Sequence, residues 1–160
     1  MTTTVTESTP LERGLITVSI MLATIMQTLD TTIANVALPY MQGSMSATLS
    51  QISWVLTSYI VAAAIMTPPT GVLAARLGRK RLFAIAVTGF TIASMLSGAA
   101  TSLTEMVIFR LLQGAFGAGL MPLSQAVLLD TYPREKYGPA MAIWGMGVMV
   151  GPILGPTLGG

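Results

Sequence analysis

Taken as apolar runs between polar joints, the chain divides into five stretches, each long enough for one membrane crossing. A hydrocarbon core about 30 Å thick needs roughly 20 apolar residues in an α-helix. The predicted spans are 15–38, 52–74, 82–100, 106–128 and 137–160. A tail, 1–14, precedes them, and joints at 39–51, 75–81, 101–105 and 129–136 separate them. In two spans the polar and small residues recur at intervals of three and four, which places them on one helix face. In the first these are Ala23, Gln27, Asp30, Thr31, Ala34 and Asn35. In the fourth they are Arg110, Gln113, Gly114, Gly117, Met121, Ser124 and Gln125. Two such stripes line a wet interior better than they face lipid, so Gln27, Asn35, Gln113, Met121 and Gln125 are predicted to border a cavity.

Composition agrees with the spans. Of the 160 residues 52% are apolar and 9% charged, and mean hydropathy is +0.73, outside the range of water-soluble domains. The fold class is an all-α membrane protein. The chain has no cysteine and no histidine, which removes disulfides, thiolate or imidazole metal sites and Ser-His-Asp or Cys-His catalysis within it. No metal site, cofactor or enzymatic activity is predicted, and proton chemistry falls to carboxylates. A pI near 9.3 invites a nucleic-acid reading, but a net charge of +2 is too small and scattered for it. The tail carries acids rather than a basic segment and no small-residue cleavage pattern follows the first apolar run, so a cleaved signal peptide is not predicted.

The basic residues set orientation, because Lys and Arg stay on the cytoplasmic side of inserted helices. Seven of the eight lie in the tail (Arg13), the second joint (Arg76, Arg79, Lys80, Arg81) and the last joint (Arg134, Lys136). All seven share one side if the N-terminus is cytoplasmic. The five helices end on an apolar "PTLGG" without a polar cap, so the 160 residues are predicted to be the front part of a larger bundle.

Two charges remain inside spans, Asp30 and Arg110. An intramembrane charge costs about 2.5–3.5 kcal/mol on the mildest scale, so it faces a partner or a cavity. At 1.5 Å per residue Asp30 lies about 13 Å below Pro39 at the outer end of its span, and Arg110 about 6 Å below the outer end of its own. A long arginine side chain closes most of that gap. Burial favours the protonated carboxyl and a nearby guanidinium opposes it, so the pair suits proton exchange. Two plainer alternatives stay open: Asp30 as the N-cap of a helix segment starting after Leu29, and Arg110 snorkelling to the outer interface.

In the fifth span Gly147, Gly151, Gly155 and Gly159 recur every fourth residue, with Pro152 and Pro156 beside two of them. Glycines at that interval open a groove in which another helix can lie close, and each proline removes a backbone donor. Tight packing without mechanism is the competing reading.

These stretches resemble the major facilitator superfamily, specifically its drug/proton antiporters of the EmrB/QacA kind, and most of all the EmrB branch. "LDTTIANVALP" resembles that group's first-span motif, with Asp30 in its acidic position. "GVLAARLGRKR" resembles its loop motif, with Gly71, Arg76, Gly78, Arg79 and Lys80 in place. "RLLQGAFGAG" resembles the fourth-span motif and "GVMVGPILGPTLGG" the antiporter motif of the fifth. The resemblance implies a bundle of 12 to 14 helices in two halves that rock around a central site. It implies proton coupling at Asp30 and Arg110, with the proton as coupling ion. It implies gating and packing by Gly147, Gly151, Pro152, Gly155, Pro156 and Gly159, and a cytoplasmic latch using Gly71, Gly78, Arg79 and Lys80. Ala75 stands where many relatives carry aspartate, and Asp130 is the acid left to pair with the basic loop. The resemblance further implies hydrophobic or amphipathic substrates, the bacterial inner membrane, a periplasmic adaptor and an outer-membrane channel. Its rivals are a symporter or exporter of one metabolite, and a five-span subunit that transports nothing.

Overall fold

A computed structural model of the protein describes residues 9–159. The first eight residues of the predicted tail, and Gly160 of the last predicted span, lie outside the described residues. Helix α1 (Pro10–Ser44) has 35 residues, about 52 Å at 1.5 Å per residue, and overruns its predicted span at both ends. Its start is written locally. Thr9 accepts from the Glu12 amide while the Glu12 carboxylate accepts from the Thr9 amide, and Pro10 occupies the first turn, where a missing N–H costs nothing. A four-residue α2 (Leu49–Ile52) leads into α3 (Trp54–Leu77). Gly78, at φ 86°, turns the chain directly into α4 (Arg79–Gly98), a left-handed position that glycine adopts at least cost.

The fourth apolar stretch is two helices, α5 (Leu103–Gly117) and α6 (Leu120–Thr131), separated at Ala118 and Gly119. One 3-10 turn (Arg134–Lys136) precedes α7 (Tyr137–Gly159). Among the described residues five helical units are long and apolar enough to cross a membrane: 10–44, 49–77, 79–98, 103–131 and 134–159. The α5–α6 unit is central, with 44% of its most apolar window buried against 17 to 28% in the other four. Helix α5 packs on α3 and α4, α6 packs on α1 and α4, and α7 lies along α1.

Apolar clusters hold the bundle at three levels. Ile20, Val127, Leu128 and Ala140 join α1, α6 and α7. Ala86, Phe90 and Leu120 fill the middle, and Ile52, Val55 and Met106 close the opposite end. Large apolar side chains such as Leu22, Ile65, Ile92, Met95 and Ile153 point outward, a surface suited to lipid or further helices.

The α1–α7 seam follows from the glycine interval. A Cβ at Gly151 would run into the side chain and backbone of Thr28, and one at Gly155 into the Thr32 side chain. At Gly147 it would meet the flexible end of Met21, and at Gly159 the Ile33 backbone at 3.2 Å. Pro152 and Pro156 lie within α7 and are exposed. Gly71 is different, because a Cβ there would meet nothing within 4 Å and no close packing requires its glycine.

Candidate functional site

Helix α1 runs unbroken through Asp30, so the aspartate is not an N-cap. Its polar neighbours are satisfied inside the helix. The Thr28, Thr31 and Thr32 hydroxyls donate to carbonyls three or four residues back, and the Asn35 amide donates to the Thr31 carbonyl at 2.7 Å. Such back-bonding lets hydroxyl residues sit in an apolar helix and leaves the carboxylate as the group that needs an outside partner.

That partner is Arg110. Its Nη1 donates to Asp30 Oδ2 at 2.7 Å, and the side chains are 7% and 14% exposed for Arg110 and Asp30 respectively. Snorkelling is thereby excluded for Arg110. The same Nη1 donates to Gln113 Oε1 at 3.1 Å, one helical turn on. On the other side Ser94 Oγ of α4 donates to Asp30 Oδ1 at 3.4 Å. Three helices therefore meet at one ion pair. A second polar bridge lies deeper, where Gln27 Nε2 donates to the Gly117 carbonyl at 2.9 Å and to Tyr59 Oη at 3.3 Å. This bond satisfies a carbonyl just before the α5–α6 break. Gln113 is wholly buried, and Gly114 and Gly117 allow Tyr59 and Phe90 to approach α5 closely.

Two cavities flank the pair. One, of about 170 Å³, is bordered by Thr31, Asn35, Leu56, Tyr59, Ile60 and Arg110. The other, of about 380 Å³, is bordered by Asp30, Ser94, Ser97, Met106 and Arg110 among others. Of the predicted cavity residues Asn35 lines the first, while Gln27 and Gln113 are built into the polar bridges instead. Met121 and Gln125 lie on α6, beyond the break, and line neither cavity. A straight fourth span would have carried the stripe onward, but the break separates its two halves. Ser94, Ser97 and Tyr59 were not singled out from sequence. The signal available was the run of hydroxyls three residues apart, Thr88, Thr91, Ser94 and Ser97, along the third span.

At the other end of the bundle Arg79 Nη1 donates to both Asp130 oxygens, at 2.8 and 3.0 Å, with both side chains about half exposed. Asp130 does pair with the basic loop. Lys80 borders a shallow apolar groove with Leu15, Ile16 and Phe83.

The sequence profile of the Major Facilitator Superfamily matches residues 20–160. The chain belongs to the major facilitator superfamily. It is 49% identical to the multidrug export protein EmrB of Haemophilus influenzae over 94% of this chain and 30% of that protein. It is 50% identical to the fatty acid resistance protein FarB of Neisseria gonorrhoeae, over 91% of this chain and 29% of that one. With EmrB of Escherichia coli K12 the identity is 48% over 91% and 28%. Among solved structures, the crystal structure of a bacterial homolog to the human lysosomal transporter Spinster, inward-facing and unoccupied, superposes with a TM-score of 0.79. It shares 26% identity over 92% of this chain and 31% of that one. The chain thus spans about 30% of the length of the relatives it matches, and its five apolar helical units form part of a major-facilitator bundle. Membership in a superfamily of membrane transporters, rather than enzymes, accords with the five apolar spans.

Proposed function

We propose that the whole protein is a proton-coupled exporter of hydrophobic or amphipathic compounds, working by alternating access in the bacterial inner membrane. The observation that carries this is the nearly buried Asp30–Arg110 pair, set between two cavities in the half of the bundle where α1 ends and α5 begins. A proton arriving from outside neutralises Asp30, weakens its bond to Arg110 and favours substrate release. Loss of the proton toward the cytoplasm restores the pair. Asn35 borders the substrate cavity, and Gln27 and Gln113 position its walls.

The glycine seam of α7 is proposed as the surface on which the helix shifts, with Gly151 and Gly155 at closest approach, and the Gly78 turn and Arg79–Asp130 pair tie the cytoplasmic ends together. A cytoplasmic N-terminus follows from the basic residues. The names of EmrB and FarB, a multidrug exporter and a fatty acid resistance protein, support hydrophobic and amphipathic substrates. Partnership with a periplasmic adaptor and an outer-membrane channel is carried by the EmrB resemblance alone.

The test is proton movement driven by ethidium and by a medium-chain fatty acid in proteoliposomes of the full-length protein. Asp30→Asn is expected to abolish coupled proton movement. Undiminished coupling rejects the role given to Asp30.

A further inference from the structure

The two cavities beside Arg110 differ in what they reach. Asp30 borders the larger one and is absent from the walls of the smaller, which meets only Arg110, Thr31 and Asn35 among polar side chains other than Tyr59. The remaining exposure of the carboxylate is therefore toward α4, away from the apolar and aromatic pocket formed with α3. We propose that the open cavity bordered by α1, α4 and α5 is a hydrated proton-access chamber, separate from the substrate cavity, which delivers protons from the outer face to Asp30. This rests on the reading of Asp30 as the coupling acid.

Three observations support it. The space, about 380 Å³, far exceeds the roughly 10–15 Å³ one water needs on a comparable measure. Its polar lining is a set of groups that hold water: the Asp30 carboxylate, the Arg110 guanidinium and the hydroxyls of Ser94 and Ser97. Ser97 borders this space, but the residue is 6% exposed and its Oγ is enclosed without a hydrogen-bond partner. A buried hydroxyl without a partner is costly, and a change of rotamer that turns Ser97 Oγ into the space would let a water chain past Ser94 to Asp30 satisfy it. Ser94 already holds Asp30 Oδ1. The lining continues through Met41 and Met45 at the end of α1 and Ala100 just after α4, the rim of the bundle opposite the Arg79–Asp130 pair. Arg110 is the shared wall, so a proton reaching Asp30 on one side is felt by substrate on the other through the guanidinium.

The experiment uses the full-length protein, free of other cysteines, in sealed right-side-out vesicles. Ser97→Cys is expected to react with a membrane-impermeant cationic thiol reagent from outside at least about tenfold faster than Ala93→Cys, which is similarly buried but does not border the space and must wait for local opening. Filling the other cavity with Asn35→Trp should leave that rate within about twofold, since the two spaces are separate. Once Ser97→Cys is labelled, modification of Asp30 by a water-soluble carbodiimide, read by mass spectrometry, should fall about tenfold as the water path is blocked. Gly98→Cys is the second position, because a side chain there meets nothing within 4 Å and faces the same space. Inert cysteines at both positions, loss of labelling with Asn35→Trp, or undiminished carbodiimide reaction after labelling would each overturn the chamber. If labelling behaves as stated but Asp30→Asn still couples protons, the coupling role of Asp30 is what fails.

Discussion

Two ion pairs among the described residues have nearly the same length and opposite physical meaning. Asp30–Arg110 and Arg79–Asp130 close at 2.7 and 2.8 Å, but the first is 7% and 14% exposed and the second 52% and 48%. Where little water reaches, an unpaired charge finds scarce replacement solvation. Where water is plentiful, either partner is solvated again as soon as the bond opens. In the proposed function the buried pair is therefore a switch whose state the surroundings must answer, and the exposed pair a tether.

The largest effect should come from breaking the buried pair on one side only. Arg110→Ala strands the Asp30 carboxylate and is expected to cost about 3–5 kcal/mol, read as reduced thermal stability of the full-length protein in detergent. Replacing both partners, Asp30→Leu with Arg110→Met, should recover most of that stability, since apolar substitutes of similar volume are often neutral. Proton coupling should stay lost in the double variant. If the double variant is as unstable as Arg110→Ala, the pair is not an isolated charge pair in the sense argued here.

Next in size is the seam that lets α1 present Asp30. Gly151→Leu drives a side chain into the Thr28 backbone, and overpacking of this kind costs about 1–3 kcal/mol. Gly145→Leu, where a Cβ meets nothing within 4 Å, is the matched control. Equal stability of the two variants would reject the seam as a close-packed contact.

How far the sequence went is visible in these same places. The two intramembrane charges were legible because each was costly unless paired, and depth counting put them within reach. The glycine interval announced the seam, though not that Thr28 and Thr32 would face it. The α5–α6 break had a local signal that was passed over: Pro122 has no N–H for the Ala118 carbonyl and follows Gly117 and Gly119. The supporting bond was not legible, because it comes from Gln27, 90 residues away in sequence. Met121 and Gln125 lie beyond that break, on α6, and border neither of the two cavities beside Arg110. Ser94 and Ser97 were passed over because a serine in an apolar helix is commonly satisfied by its own backbone, and only packing against α1 and α5 gives them another partner or a cavity to face.

A smaller effect is expected at the turn before the tether. Gly78→Ala forces an L-residue to φ 86°, ψ 143°, a region close to glycine-only, at a cost of about 1–2 kcal/mol, in an otherwise open site. Because space is not the obstacle there, Gly78→Asn should lose about as much, since asparagine's tolerance is for the left-handed helical basin at ψ of about +47°. Full recovery with asparagine would point away from this backbone conformation as the cause.

The smallest effect belongs to the exposed pair and tests the comparison from its weak side. Asp130→Asn removes the acid but leaves a hydrogen-bond acceptor, and at half exposure Arg79 keeps its water. The expected loss is at most about 1 kcal/mol. It should shrink further as ionic strength rises from about 0.01 to 1 M, because the screening length falls from about 30 to 3 Å. The same salt series applied to Arg110→Ala should change its deficit less, since the Asp30 side chain is 14% exposed against about half for Arg79 and Asp130. A deficit for Asp130→Asn above about 2 kcal/mol, or one that ignores salt, would mean the exposed pair is held out of water as firmly as the buried one. The distinction between tether and switch would then have no basis in solvent access.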